Sequence, residues 1–152
     1  RDFEIKAADG SVLGVATSEW MLIDLASRKV VPIPESVFDL ANTVREPVLG
    51  ADPWTLRLRF PQEVAGERFV FKAQNSHIDV NGHVNNVHYV EWFMEPLPGV
   101  RPAELEIVFR SETFAGDEVV VEVAGGAASG ERYHRVGSPN GQDHVVARTV
   151  AP

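Results

Sequence analysis

Asp79, Asn81 and His83 place an acid, an amide and an imidazole at alternate positions, and Val84-Asn85-Asn86 follows at once. A carboxylate or an imidazole can take a proton from water as a general base, and an amide can orient that water or hold a carbonyl oxygen. Apolar residues at helical spacing begin at Val84 and run to Glu95, so these polar groups stand at the entry to a helix. The first backbone N–H groups of a helix lack intrahelical acceptors. At Val84, Asn85 and Asn86 they could stabilise an oxyanion formed when a carbonyl is attacked. Burial raises a carboxyl pKa, whereas an adjacent imidazole or helix start lowers it, so the residues alone do not fix which group is the base.

Plainer readings of the same residues stand beside this one. Asp79 can be a helix cap and Asn81 a turn former. His77, Asp79 and His83 share a face if the segment is extended and could ligate a metal, although the pattern lacks a His pair at helical spacing. Tyr89, Trp92 and Phe93 read as core rather than substrate-stacking groups, and His88 is expected to face solvent. His134 and His144 have no partner pattern and receive no role.

The surrounding elements follow from periodicity. Phe3 to Lys6, a turn at Ala8-Asp9-Gly10-Ser11 and a long strand from Val12 to Leu25 read as a hairpin. A second turn at Ser27-Arg28-Lys29 leads to a short extended piece at Val30–Pro34, and residues 36–44 suggest one or two helical turns. Pro47, Gly50 and Pro53 mark a linker. Strands are expected over Trp54–Phe60, Phe69–Lys72, Glu104–Arg110, Glu118–Val123 and His144–Val150, with turns at Gly125–Gly130 and Ser138–Gly141. Between the strands, a helix apolar on most of its circumference must be buried, and Pro96 and Pro98 stop it. The order implies an α+β fold in which a curved antiparallel sheet wraps around one central buried helix, the hotdog arrangement.

Composition narrows the partners. The 152-residue chain carries a net charge of −8, which disfavours nucleic-acid binding by a broad basic face. The sequence contains no cysteine, hence no disulfide framework and no thiolate nucleophile or metal ligand. No apolar stretch is long enough to span a membrane. A cytoplasmic location is the expectation.

The run Asp79-Val80-Asn81-Gly82-His83-Val84-Asn85-Asn86-Val87-His88-Tyr89 resembles the Asp-x-Asn-x-His-Val-Asn-Asn-x-x-Tyr signature of the acyl-acyl-carrier-protein (acyl-ACP) thioesterases. Ala16-Thr17-Ser18-Glu19-Trp20, continuing through Ser27-Arg28-Lys29, is similar to the hairpin that ends the first hotdog repeat of that family. The resemblance implies hydrolysis of a fatty acyl-ACP thioester, with Asp79, Asn81 and His83 catalytic. The oxyanion is then held around Val84, Asn85 and Asn86. A thioester is already an activated acyl group, so neither cofactor nor metal is implied.

Ser111-Glu112-Thr113 resembles the segment that supplies a further acid. Glu112 takes that role, Thr113 stands where plant members have cysteine, and Glu106 and Glu118 are nearby competitors. The family usually has two repeats. Residues 1–52 are therefore expected to be an incomplete first hotdog remnant and 53–152 the complete second one, pairing as a homodimer or with a missing repeat. The implied partner is an acidic acyl carrier protein, for which Arg68, Lys72, Arg101 and Arg110 could form a docking patch. An acyl-CoA thioesterase and a non-catalytic acyl-ACP or lipid-binding module are the alternatives.

Overall fold

The computed structural model describes residues 1–27, 29–38, 47–49, 58–61, 66–125 and 130–152. Contacts divide the chain into two units, Arg1–Leu56 and Arg57–Pro152.

In the first unit β1 (Asp2–Lys6) pairs antiparallel with β2 (Val12–Thr17). Gly10 adopts φ +88° in the connecting turn, and Asp9 Oδ1 accepts from Ser11 N at 2.9 Å and Ser11 Oγ at 2.6 Å. The continuous strand expected over Val12–Leu25 is broken. The ladder sets Asp2 opposite Thr17, and no described strand lies opposite Ser18–Met21. The chain becomes extended again only as β3 (Leu22–Ile23), which pairs with β4 (Val30–Val31). A single helical turn, α1 (Glu35–Phe38), follows. Phe3, Ile5, Leu13, Trp20 and Leu25 remain exposed. The strand expected from Trp54 falls outside the described residues up to position 57, and Leu58–Phe60 is irregular.

The second unit is built on a five-stranded antiparallel sheet with order β5-β7-β8-β9-β6. Its strands are β5 (Glu67–Lys72), β6 (Glu104–Phe109), β7 (Glu118–Ala124), β8 (Glu131–Gly137) and β9 (Asp143–Val150). Between β5 and β6 lie a 3₁₀ turn at Asn75–His77 and helix α2 (Asn86–Met94). Register explains the core. Val121 sits opposite Phe69 and Val136, Val123 opposite His134, and Val136 opposite Val145, all on one face of the pleat. Tyr89, Trp92 and Phe93 of α2 close over that face. Each buried Val or Phe contributes roughly 1.5–3 kcal/mol. Val87 is 53% exposed, so α2 is buried along one flank rather than over most of its circumference.

The opposite face is charged. Arg135 bonds Glu122 and Asp143, and Arg148 bonds both carboxylate oxygens of Glu106 as well as Glu131. This pattern hid β8 in the sequence. Glu131, Arg132 and Arg135 make the strand look solvated, while His134 and Val136, on the face opposite Glu131 and Arg135, are buried.

Candidate active site

The polar run folds as a tight hairpin set on the start of α2. Ile78 and Val84 form an isolated antiparallel bridge. Asp79 N donates to His83 O at 2.9 Å, and Gly82 N donates to Asp79 O at 3.1 Å. Gly82 has φ +81°, a left-handed conformation that a side chain would strain. The turn brings Asn81 back onto Asp79. The Asn81 N–H donates to Asp79 Oδ1 at 2.8 Å, and Asn81 Nδ2 approaches Oδ2 at 3.3 Å. The Asn81 backbone N–H is the largest cause holding the Asp79 carboxyl below the usual carboxylate range, and the nearby His83 adds a smaller pull. Asp79 is therefore ionised at neutral pH.

His83 meets a second acid, carried by a different segment. Its Nδ1 lies 3.5 Å from Glu112 Oε1, and its ring stands edge-on to Phe114 with centroids 5.2 Å apart. Glu112 is carried between two anchored neighbours. Ser111 Oγ donates to Asp143 O at 2.9 Å and lies 2.9 Å from His144 Nδ1. Thr113, fully buried, accepts from Val84 N through its carbonyl at 2.9 Å. Sequence reasoning gave His144 no role, yet it pins the segment that presents Glu112. The signal was the adjoining Ser111, whose only visible feature was its place next to the acid. Glu106 is committed to Arg148 on the charged face of the sheet, and Glu118 lies exposed at the start of β7.

The helix start differs from expectation in detail. Val84 N is occupied by Thr113 O, and Asn85 N donates to His77 O at 2.9 Å, so neither amide is available to an oxyanion without breaking a backbone bond. Asn85 is the N-cap, its Oδ1 accepting from Val87 N at 3.0 Å. Among the described residues only the Asn86 amide of this trio is left without a protein acceptor.

His77 and His83 diverge. The His77 ring packs against His88 and edge-on to Trp92, while His83 meets Glu112 and Phe114, so the metal reading of His77, Asp79 and His83 lacks converging ligands. No group of three His, Asp or Glu side chains among the described residues is arranged to hold a metal ion. His88 does not simply face solvent. Its Nδ1 lies 2.6 Å from Glu91 Oε2. Tyr89, Trp92 and Phe93 are core residues, and burial raises the Tyr89 phenol above its ordinary pKa.

A cleft of about 790 Å³ lies elsewhere, on the charged side of the sheet, lined in part by Arg59, Arg110, Glu122, Arg135 and Asp143. Arg110 bonds Asp143 at 2.6 Å and the Leu58 carbonyl at 2.8 Å, which removes it from the free cations suggested for docking.

Residues 62–150, more than half of the chain, match the family model of the acyl-ACP thioesterase C-terminal domain. The oleoyl-acyl carrier protein thioesterase of Coriandrum sativum is 30% identical over 113 residues, covering 64% of this chain and 29% of that protein. The palmitoyl-acyl carrier protein thioesterase of Gossypium hirsutum is 33% identical over 114 residues, covering 69% of this chain and 27% of that protein. The chain thus spans less than a third of the length of these two relatives, both named as chloroplastic. The crystal structure of an acyl-ACP thioesterase from Bacteroides thetaiotaomicron superposes with a TM-score of 0.73 at 22% identity, over 99% of this chain and 61% of the other. The 12:0-ACP thioesterase of Umbellularia californica gives 0.63 at 19% identity, over 99% and 59%. The likeness establishes a hotdog-like α+β fold. No helix among the described residues is long and apolar enough to cross a membrane.

Proposed function

The chain belongs to the acyl-ACP thioesterase family, and from that membership we propose that it hydrolyses a fatty acyl-ACP thioester to free fatty acid and acyl carrier protein. The observation that carries the reading is the hairpin itself: ionised Asp79 held by Asn81, with His83 facing Glu112 3.5 Å away, at the start of a half-buried helix. Water adds to the thioester carbonyl as its proton passes to the group formed by Asp79, His83 and Glu112. Asn81 orients Asp79 and the water. The Asn86 amide faces the developing oxyanion, supplying the kind of fixed dipole that stabilises such charge. When the tetrahedral species collapses, the C–S bond breaks and the leaving thiolate takes back the proton.

In the same reading, α2 is the central helix of a hotdog domain over residues 53–152, and residues 1–52 belong to a neighbouring hotdog repeat. The exposed apolar side chains Phe3, Leu13 and Trp20 support pairing of that segment with a surface in another copy or another repeat. The partner is an acyl carrier protein, approached through exposed cations such as Arg68, Lys72 and Arg101.

Steady-state cleavage of one acyl group presented on acyl carrier protein and on coenzyme A tests the proposal. A higher kcat/KM for the carrier-protein form is expected. Preference for coenzyme A would convert the reading to an acyl-CoA thioesterase, and saturable binding without turnover would convert it to a binding module.

A further inference from the structure

His77 is used by nothing in the scheme above, yet it touches both ends of the site hairpin. Its Nδ1 accepts from Gln74 N at 3.1 Å, which places the ring proton of the neutral form on Nε2. Its carbonyl accepts from Asn85 N at 2.9 Å, the residue that caps α2. Asp79 follows two residues later. One residue therefore ties the turn before the hairpin to the helix after it.

The His77 ring is half-buried, 4.6 Å from the His88 ring and 5.4 Å from that of Trp92, centroid to centroid. His88 in turn bonds Glu91 at 2.6 Å. Among the described residues the titratable groups acting on His77 are thus His88 and Glu91, both on α2. Burial, and then His88, hold the His77 imidazole below the ordinary histidine value, with Glu91 pulling the opposite way. A proton added to His77 goes to Nδ1, where it faces the Gln74 N–H and removes the acceptor. It also brings a charge beside the His88 ring, 4.6 Å away.

We propose that His77 is a positioning residue of the thioester-cleaving site, working as a neutral acceptor that fixes the hairpin on α2, and that a proton on its Nδ1 releases the Gln74 end of this hold. The role rests on the proposed hydrolysis, but the hold itself is read without substrate. Imidazole and backbone ¹⁵N spectra of the chain across pH 4–8 decide it. The expected result is an Nε2-protonated His77 that titrates below about 6.5, with the Gln74 and Asn85 amides shifting at the same midpoint. In His88→Gln that midpoint moves up. A proton on Nδ1 in the neutral form, or amides that ignore the His77 titration, would overturn the proposal.

Turnover supplies the second arm. His77→Asn keeps an acceptor at the Nδ1 position and removes the titration, so it retains kcat/KM while losing the acid limb due to His77. His77→Phe keeps the ring and loses the acceptor, and drops kcat/KM about tenfold. Activity retained in His77→Phe but lost in His77→Asn would mean that His77 acts by packing alone and would sink the idea. Spectra that behave as expected in a chain with no turnover would instead count against the proposed hydrolysis.

Discussion

His83 and His134 lie in the same unit and face opposite demands. His83 stands on a glycine-turned hairpin, a quarter exposed, beside a carboxylate carried by a different segment. His134 lies fully buried on β8, its ring tilted against that of Phe93 with centroids 4.7 Å apart, and with Nε2 2.8 Å from Thr149 Oγ1. Burial drives its pKa down to about 4, with Arg132 adding a smaller push, so it stays neutral where an ordinary histidine begins to charge. The contrast separates two uses of one side chain. A histidine sealed against aromatic and aliphatic neighbours fills space and satisfies a hydroxyl. A histidine held at the surface by backbone turns, with an acid within reach, is the one that the proposed hydrolysis uses.

Substitutions should keep these uses apart. His83→Gln or Glu112→Gln is expected to lower kcat/KM by about 100-fold or more while leaving the thermal midpoint nearly unchanged. A stability loss matching the activity loss would erase the distinction. For His134 the change falls on stability. The unfolded chain binds the proton near pH 6.5 and the folded chain only near 4, so stability is fully present above 6.5 and is lost as pH falls between those values. Each unit of displacement is worth about 1.4 kcal/mol, so the full loss is about 3 kcal/mol. Urea unfolding at several pH values should show it, and His134→Gln should remove most of that slope.

Gly82→Ala lies between the two kinds of site. Nothing stands within 4 Å of the added Cβ, so the cost is backbone strain of about 1–2 kcal/mol. Activity should fall further than stability, because the turn aims Asn81 at Asp79. Asn85→Ala, which removes the α2 cap, should cost about 1 kcal/mol in denaturant melts.

The hairpin was legible because its chemistry is local: Asp79, Asn81, Gly82 and His83 are close in sequence and meet through one turn. The five-stranded sheet was less so. β8 escaped because the charged side chains on its outer face are neutralised across the sheet, Arg135 by Glu122 and Asp143, and Glu131 by Arg148, partners that only the register reveals. The helix-start amides were misjudged for the same reason. Counting from the cap shows that Val84 and Asn85 lack intrahelical acceptors, but not that Thr113 and His77 supply them from outside the helix. The anchoring of Glu112 by His144 spans 33 positions between Ser111 and His144, a distance at which sequence pattern carries no geometry.

The central claim is that the hairpin does chemistry rather than merely capping α2. Release of free acid from acyl-ACPs of several chain lengths, by the wild-type chain and by Asp79→Ala, tests it most directly. The account predicts turnover by the wild type and its loss in a variant that keeps the wild-type circular dichroism and melting curve. Equal turnover in the two proteins would contradict it.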